Sequence, residues 1–225
     1  PYTGTNAWSI PIKPVISKAP MSAKNHFLRG AIAIAVNGVP IFNALNNRGD
    51  DAFLAGELDD WGGHCGRADD YHYHVAPLHL QSIIGKKVPI AYALDGYPIY
   101  GDSEIDGKPI SKLDEFNGHF DSKKNYHYHG TKTFPYINGG FKGVVKEVDG
   151  QVEPQALTKA FRPAGLPLRG AKITNCEQVG TNNFELTYSL NNENYLIKYA
   201  ASLSSVDITF VNPDGSQRIE NYVRK

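Results

Sequence analysis

IAIAVNGVPIF at Ile32–Phe42 and IAYALDGYPIY at Ile90–Tyr100 are one eleven-residue stretch written twice, with six positions identical. In each copy an apolar run, Ala31–Val36 or Pro89–Leu94, meets a turn signal, Asn37-Gly38 or Asp95-Gly96, and then a second run, Val39–Phe42 or Tyr97–Tyr100. Asn-Gly and Asp-Gly between apolar runs are the strongest short-range hairpin signals, so each copy predicts a β-hairpin. The repeat continues downstream. LDDWGGHCGRADDYHYH at Leu58–His74 matches LDEFNGHFDSKKNYHYH at Leu113–His129 at eight of seventeen positions without a gap. The connecting segments, 43–57 and 101–112, differ in length by only three residues. The region therefore reads as a duplication, with repeats at about 31–75 and 89–130.

The surrounding chain fits a mainly β protein, with α+β as the alternative. Tyr at 13 and Phe at 10 favour strands, while Gly at 22 and Pro at 14 supply turns. Each hairpin must bury its apolar face and its twin is the nearest partner, which predicts pseudo-twofold packing. Short helices are expected at Asp51–Leu58 and Pro77–Ile84. Phe184–Leu190, Tyr195–Ala200, Val206–Val211 and Arg218–Val223 alternate with turn residues and predict a C-terminal antiparallel meander. The expected organisation is an N-terminal extension over residues 1–30 packing on the core, the duplicated domain over 31–170, and a small β segment over 171–225. Lys+Arg and Asp+Glu balance at 23 each, so no charge footprint for nucleic acid exists. No apolar run approaches the roughly 18 residues of a membrane span.

Tyr-His-Tyr-His is bulky, aromatic and alternating, which predicts a strand with both histidines on one face and both tyrosines on the other. Six of the eight histidines occupy repeat-equivalent positions: His64, His72 and His74, then His119, His127 and His129. Histidines two apart on a strand point the same way and can converge on one metal ion, with a third supplied by the Gly-His turn. Three imidazoles with an open position suit copper or zinc. Either each repeat builds its own site, or the two strands face each other across the pseudo-twofold axis and share one. The need of each repeat to bury its face against its twin favours the shared site. A non-metal reading pairs the imidazoles with Asp59, Asp60, Asp69, Asp70 or Asp114 in structural ladders.

Asp59 and Asp114, each five residues before its Gly-His histidine, are candidates for carboxylates that orient the imidazoles, or for turn caps. Tyr71, Tyr73, Tyr126 and Tyr128 are expected to pack on the opposite face with hydroxyls on polar partners. Gly63 and Gly118 are expected to permit a tight turn. Cys65 and Cys176 admit two readings, one disulfide or two reduced, buried thiols; the disulfide favours a secreted or periplasmic protein. No nucleophile elbow, HExxH helix, phosphate loop or dinucleotide fingerprint is present.

Gly62-Gly63-His64, Tyr71–His74, the DGYPIYG run at Asp95–Gly101 and Tyr126–His129 together resemble the YHYH-domain family, over roughly residues 30–145. The resemblance implies an exported bacterial-type domain and supplies no reaction, so the metal reading rests on spacing. The expected function is an exported copper- or zinc-binding protein, with a metal-dependent hydrolase or oxidase as its enzymatic form. The alternative is a non-enzymatic module that sequesters metal or binds a small molecule, carbohydrate or surface, held together by His/Tyr ladders.

Overall fold

Five alternating alanines and isoleucines, Ala31–Ala35, form a strand with almost no exposed residue on either face. Small side chains let its neighbours approach closely, and continuous apolarity is what a sheet covered on both sides requires. A computed structural model describes residues 5–66, 70–157, 166 and 168–223. It divides into two compact units, Pro1–Cys65 with Tyr71–Leu157, and Gly66–Asp70 with Thr158–Lys225.

In chain order the first unit contains β1 (Ile16–Ser22), β2 (Ala31–Ala35), β3 (Pro40–Phe42), β4 (Gly63–Cys65), β5 (Tyr71–Tyr73), α1 (His79–Ile84), β6 (Ala91–Ala93), β7 (Pro98–Tyr100), β8 (Gly118–Phe120), β9 (Tyr126–His129), β10 (Gly140–Gly143), β11 (Glu147–Val148) and β12 (Gln151–Val152). Eight strands form one sheet in the order β4-β5-β3-β2-β6-β7-β9-β8. Under the repeat alignment β2 corresponds to β6, β3 to β7, β4 to β8 and β5 to β9, so this order is a palindrome. β2 and β6 pair antiparallel with Ala33 opposite Ala93, Ile34 opposite Tyr92 and Ala35 opposite Ala91. Ile34 thus faces its own repeat equivalent, and the pseudo-twofold axis passes through that pair. The expected pseudo-twofold packing is found.

Both hairpins close as expected, through three-residue loops. Ala35 N–H donates to Val39 O and Gly38 N–H to Ala35 O; Ala93 N–H donates to Tyr97 O and Gly96 N–H to Ala93 O. Gly38 and Gly96 sit at φ +86° and +92°, the left-handed position that ends such a loop and that glycine fills without steric cost. The second hairpin strand then pairs in parallel with the histidine strand, Ile41 opposite Tyr73 and Ile99 opposite Tyr128. Ile32, Ile41, Ile90, Ile99, Phe27, Ile137 and Phe141 fill the core. β1, from the N-terminal extension, pairs with β10.

α1 is the one α-helix among the described residues, inside the expected Pro77–Ile84. Asp51–Leu58 is not a helix. Asp51 Oδ1 accepts from Phe53 and Leu54 N–H, and Gly56 at φ +69° ends the turn before a second one forms. The second unit is an antiparallel meander of five strands, β13 (Lys172–Gly180), β14 (Asn183–Leu190), β15 (Glu193–Ala201), β16 (Ser205–Val211) and β17 (Gln217–Val223). Four were expected; β13 lacks a clean alternation, with only Ile173 and Val179 as large aliphatics. Cross-strand stacks of Phe184 on Tyr199 and Tyr188 on Tyr195, each at 5.0 Å, set the β14–β15 register.

Candidate metal centre

The six repeat histidines form two separate clusters, His64 with His72 and His74, and His119 with His127 and His129. Each arises from one short hairpin. His64 lies opposite His72 across β4–β5, and His119 opposite His127 across β8–β9. The third imidazole comes from two residues further on, His129 at the end of β9 and His74 just past β5. The shared site favoured by the sequence is corrected here. The repeats join through β2 and β6, so four strands, β3, β2, β6 and β7, separate β5 from β9. At about 4.8 Å per strand, the two histidine strands lie about 24 Å apart.

In the second cluster the three Nε2 atoms lie close together. His119 Nε2 is 2.9 Å from His127 Nε2 and 3.2 Å from His129 Nε2, and the last two are 3.1 Å apart. With metal–nitrogen bonds of about 2.0–2.1 Å, these three Nε2 atoms would be close enough to hold one ion together. His129 Nδ1 is held at 2.9 Å by Gly101 O and His119 Nδ1 at 2.7 Å by Ser111 Oγ, which turns Nε2 inward. In the first cluster His74 Nε2 is 3.1 Å from His64 Nε2; their Nδ1 atoms face Asn43 O at 2.5 Å and Glu57 O at 3.1 Å. Phe42 stacks on the His72 ring at 3.9 Å.

Burial pushes His74 down to about 4 despite the bond to Asn43, and pushes His127 down to about 4 with help from its two histidine neighbours. His129 is lowered by the same burial. Near pH 7 these rings are neutral, the form that donates a lone pair to a metal.

One candidate ligand was not read from the sequence. Glu104 joins the second cluster, its carboxylate 3.5 Å from His119 Nε2, 3.8 Å from His127 Nε2 and 3.7 Å from His129 Nε2. Burial raises its carboxyl, but the Ser111 N–H and hydroxyl and the adjacent His119 and His129 outweigh that and hold it below the usual range. It lies in the connector where the two repeats differ in length, so similarity gave no signal.

The candidate orienting residues do other work. Asp59 accepts from Tyr71 OH at 2.8 Å and from Trp61 and Gly63 N–H; Asp114 accepts from Tyr126 OH at 3.0 Å and from Phe116 and Gly118 N–H. They brace the Gly-His turn against the tyrosine face and do not touch the imidazoles. The ladder reading fails for this pair; Asp69 lies outside the described residues. Tyr73 OH accepts from Asn37, and Tyr128 OH donates to Asp95, as expected of hydroxyls on the far face. Cys65 shares that face: it is opposite Tyr71, its alternation turns it away from His64, and it cannot join the cluster. Cys65 and Cys176 are both exposed, so the buried-thiol reading does not hold.

Gly63 and Gly118 are strand residues, not turn residues. A Cβ on Gly118 would clash with Tyr126 Oη and lie 2.7 Å from His127 O; one on Gly63 would meet His72 O and Tyr71 Oη at 2.6 Å. The left-handed residues are their predecessors, Gly62 at φ +84° and Asn117 at φ +63°. Gly118→Ala is expected to cost about 1–3 kcal/mol by overpacking. It should also weaken metal uptake at the second cluster, because the clash lies between β8 and β9. Urea unfolding and metal titration check both; an unchanged variant would contradict the close approach.

No curated protein and no solved structure matches the chain significantly. The matched family stretch begins before the first hairpin and takes in the whole first cluster and Glu104, but ends short of His119. Residues 7–112 match the family model described as YHYH protein, the family that the paired tetrapeptides resemble.

Proposed function

We propose that this is a metal-binding protein that holds one copper or zinc ion at each three-histidine cluster. The observation that carries the reading is the second cluster, where three Nε2 atoms lie 2.9–3.2 Å apart. An Nε2–H can bridge only one of these contacts at a time, whereas one metal cation accepts lone pairs from all three. All-nitrogen ligation with oxygen support fits Cu(II) or Zn(II) better than Cu(I). An enzymatic form would be a metal-dependent hydrolase or oxidase, because bound zinc acidifies water and copper supports oxygen chemistry. Glu104 favours the non-enzymatic reading, metal sequestration, for the second cluster, since a carboxylate there completes four protein ligands. An exported location rests on the family resemblance.

Elemental analysis of protein purified without tag or chelator, followed by Zn²⁺ and Cu²⁺ titration after chelator treatment, tests the proposal. Two ions per chain are expected. One ion would leave a single working cluster, and none at micromolar metal would leave the histidines structural.

A further inference from the structure

An imidazole that enters a cluster through Nε2 keeps a second nitrogen, and what that nitrogen faces decides which of the two carries the proton. For His64, His74 and His129 it faces a backbone carbonyl: Nδ1 is 3.1 Å from Glu57 O, 2.5 Å from Asn43 O and 2.9 Å from Gly101 O, respectively. A carbonyl oxygen only accepts, so each of these rings carries its proton on Nδ1 and turns the Nε2 lone pair inward. His119 is held differently. Its Nδ1 is 2.7 Å from Ser111 Oγ, and a hydroxyl can donate as well as accept. In the gapless alignment of the repeats Ser111 stands opposite Gly56, which has no side chain to offer, and His64 meets the neighbouring carbonyl of Glu57 instead.

Glu104 decides which way the hydroxyl points. Ser111 Oγ lies 3.1 Å from Glu104 Oε1, and the Ser111 N–H donates to the same oxygen at 2.9 Å. A carboxylate oxygen only accepts. With the hydroxyl proton turned to His119, Oγ and Oε1 would face each other lone pair to lone pair. With it turned to Glu104, both contacts are hydrogen bonds: His119 Nδ1–H donates to Oγ, and Oγ–H donates to Oε1. From this we infer that Ser111 is a positioning residue, which relays the acceptor character of Glu104 to His119 and holds that ring in the tautomer whose Nε2 can ligate a metal. The inference rests on the metal-binding reading of the second cluster above. It gives the Glu104 carboxylate two tasks, because the oxygen that approaches His127 and His129 is the other one, Oε2, at 3.8 and 3.7 Å. Ser111 is exposed, so truncating it opens no cavity in the core.

Imidazole nitrogen NMR of the chelator-treated protein reads the tautomer directly, because protonated and bare ring nitrogens resonate far apart. His119 is expected as Nδ1–H in the wild type and in Ser111→Thr. Ser111→Ala and Glu104→Ala should move it toward Nε2–H, the first by removing the acceptor and the second by freeing the hydroxyl to donate to Nδ1. Zinc titration in a His72→Ala background, which isolates the second cluster, is the other readout. There Ser111→Ala should weaken zinc binding by about 10–100-fold, and Ser111→Thr should restore it. His119 as Nε2–H in the wild type, an unchanged tautomer in either alanine variant, or an unchanged zinc affinity in Ser111→Ala overturns the inference and leaves the metal reading in place. No zinc uptake by the His72→Ala protein itself removes the metal reading of the second cluster, and this inference with it.

Discussion

Replacing His72 and His127 together by alanine is expected to abolish stoichiometric metal uptake, whereas each single change should remove one ion. His127 is in contact with both partners at 2.9 and 3.1 Å, and His72 lies opposite His64 in the strand pair. Losing an orienting group around a ligand already costs about 10–100-fold in affinity, so losing the ligand should cost at least about a hundred-fold per centre. The expected stability response is equally large. Free Zn²⁺ at about 100 times its dissociation constant stabilises the folded chain by about 2.7 kcal/mol per site. Wild-type melting should therefore rise with added Zn²⁺, each single variant should show a smaller rise, and the double variant none. The separation of the clusters, about 24 Å, predicts near-additive losses. Equal affinity for the same metal in double variant and wild type would sink the metal reading.

Asp95→Ala is expected to give the largest loss of stability among single changes on the tyrosine face, about 3 kcal/mol or more. Asp95 is 1% exposed. Its carboxylate accepts from Tyr128 OH at 2.5 Å, Gly143 N–H at 2.9 Å and Tyr97 N–H at 3.2 Å. Tyr128 OH in turn accepts from Lys142 N–H at 2.8 Å. Alanine leaves three buried donors unpaired at about 1–3 kcal/mol each, partly relieved by relaxation. The repeat equivalent is a control supplied by the duplication. Asn37, at the matching turn position, donates to Tyr73 OH at 3.1 Å near the surface. Asn37→Ala should cost under about 1 kcal/mol, because water replaces the lost bond. Urea unfolding of both variants decides; similar losses would mean that burial of the Asp95 network is not what holds β10 to the sheet.

The strand and hairpin content was readable because it is local. Alternation in Tyr-His-Tyr-His and the glycines after Asn37 and Asp95 act over two to four residues, and each feature appears twice. Asp51–Leu58 was misread as helical because Asp51 as a cap and good helix formers after it also describe a single closed turn, which Gly56 ends. β13 was missed for the opposite reason: Lys172–Gly180 is mostly polar and carries little alternation, and its neighbour β14 supplies the pairing.

The amino-acid sequence by itself determined which six histidines cluster, that three come from each repeat, and that the repeats meet about a pseudo-twofold axis. Those properties follow from strand alternation and from self-similarity, which need no knowledge of long-range contacts. Only the tertiary structure decided that the histidines form two clusters rather than one. The axis runs through Ile34 and Tyr92 in the middle of the sheet, so the parallel pairing of each histidine strand with its hairpin carries it outward, away from its twin. Only the structure, too, brought Glu104 to its cluster. A carboxylate fifteen residues before the nearest of its three histidine partners becomes a ligand candidate when a connector folds back, and no periodicity records that.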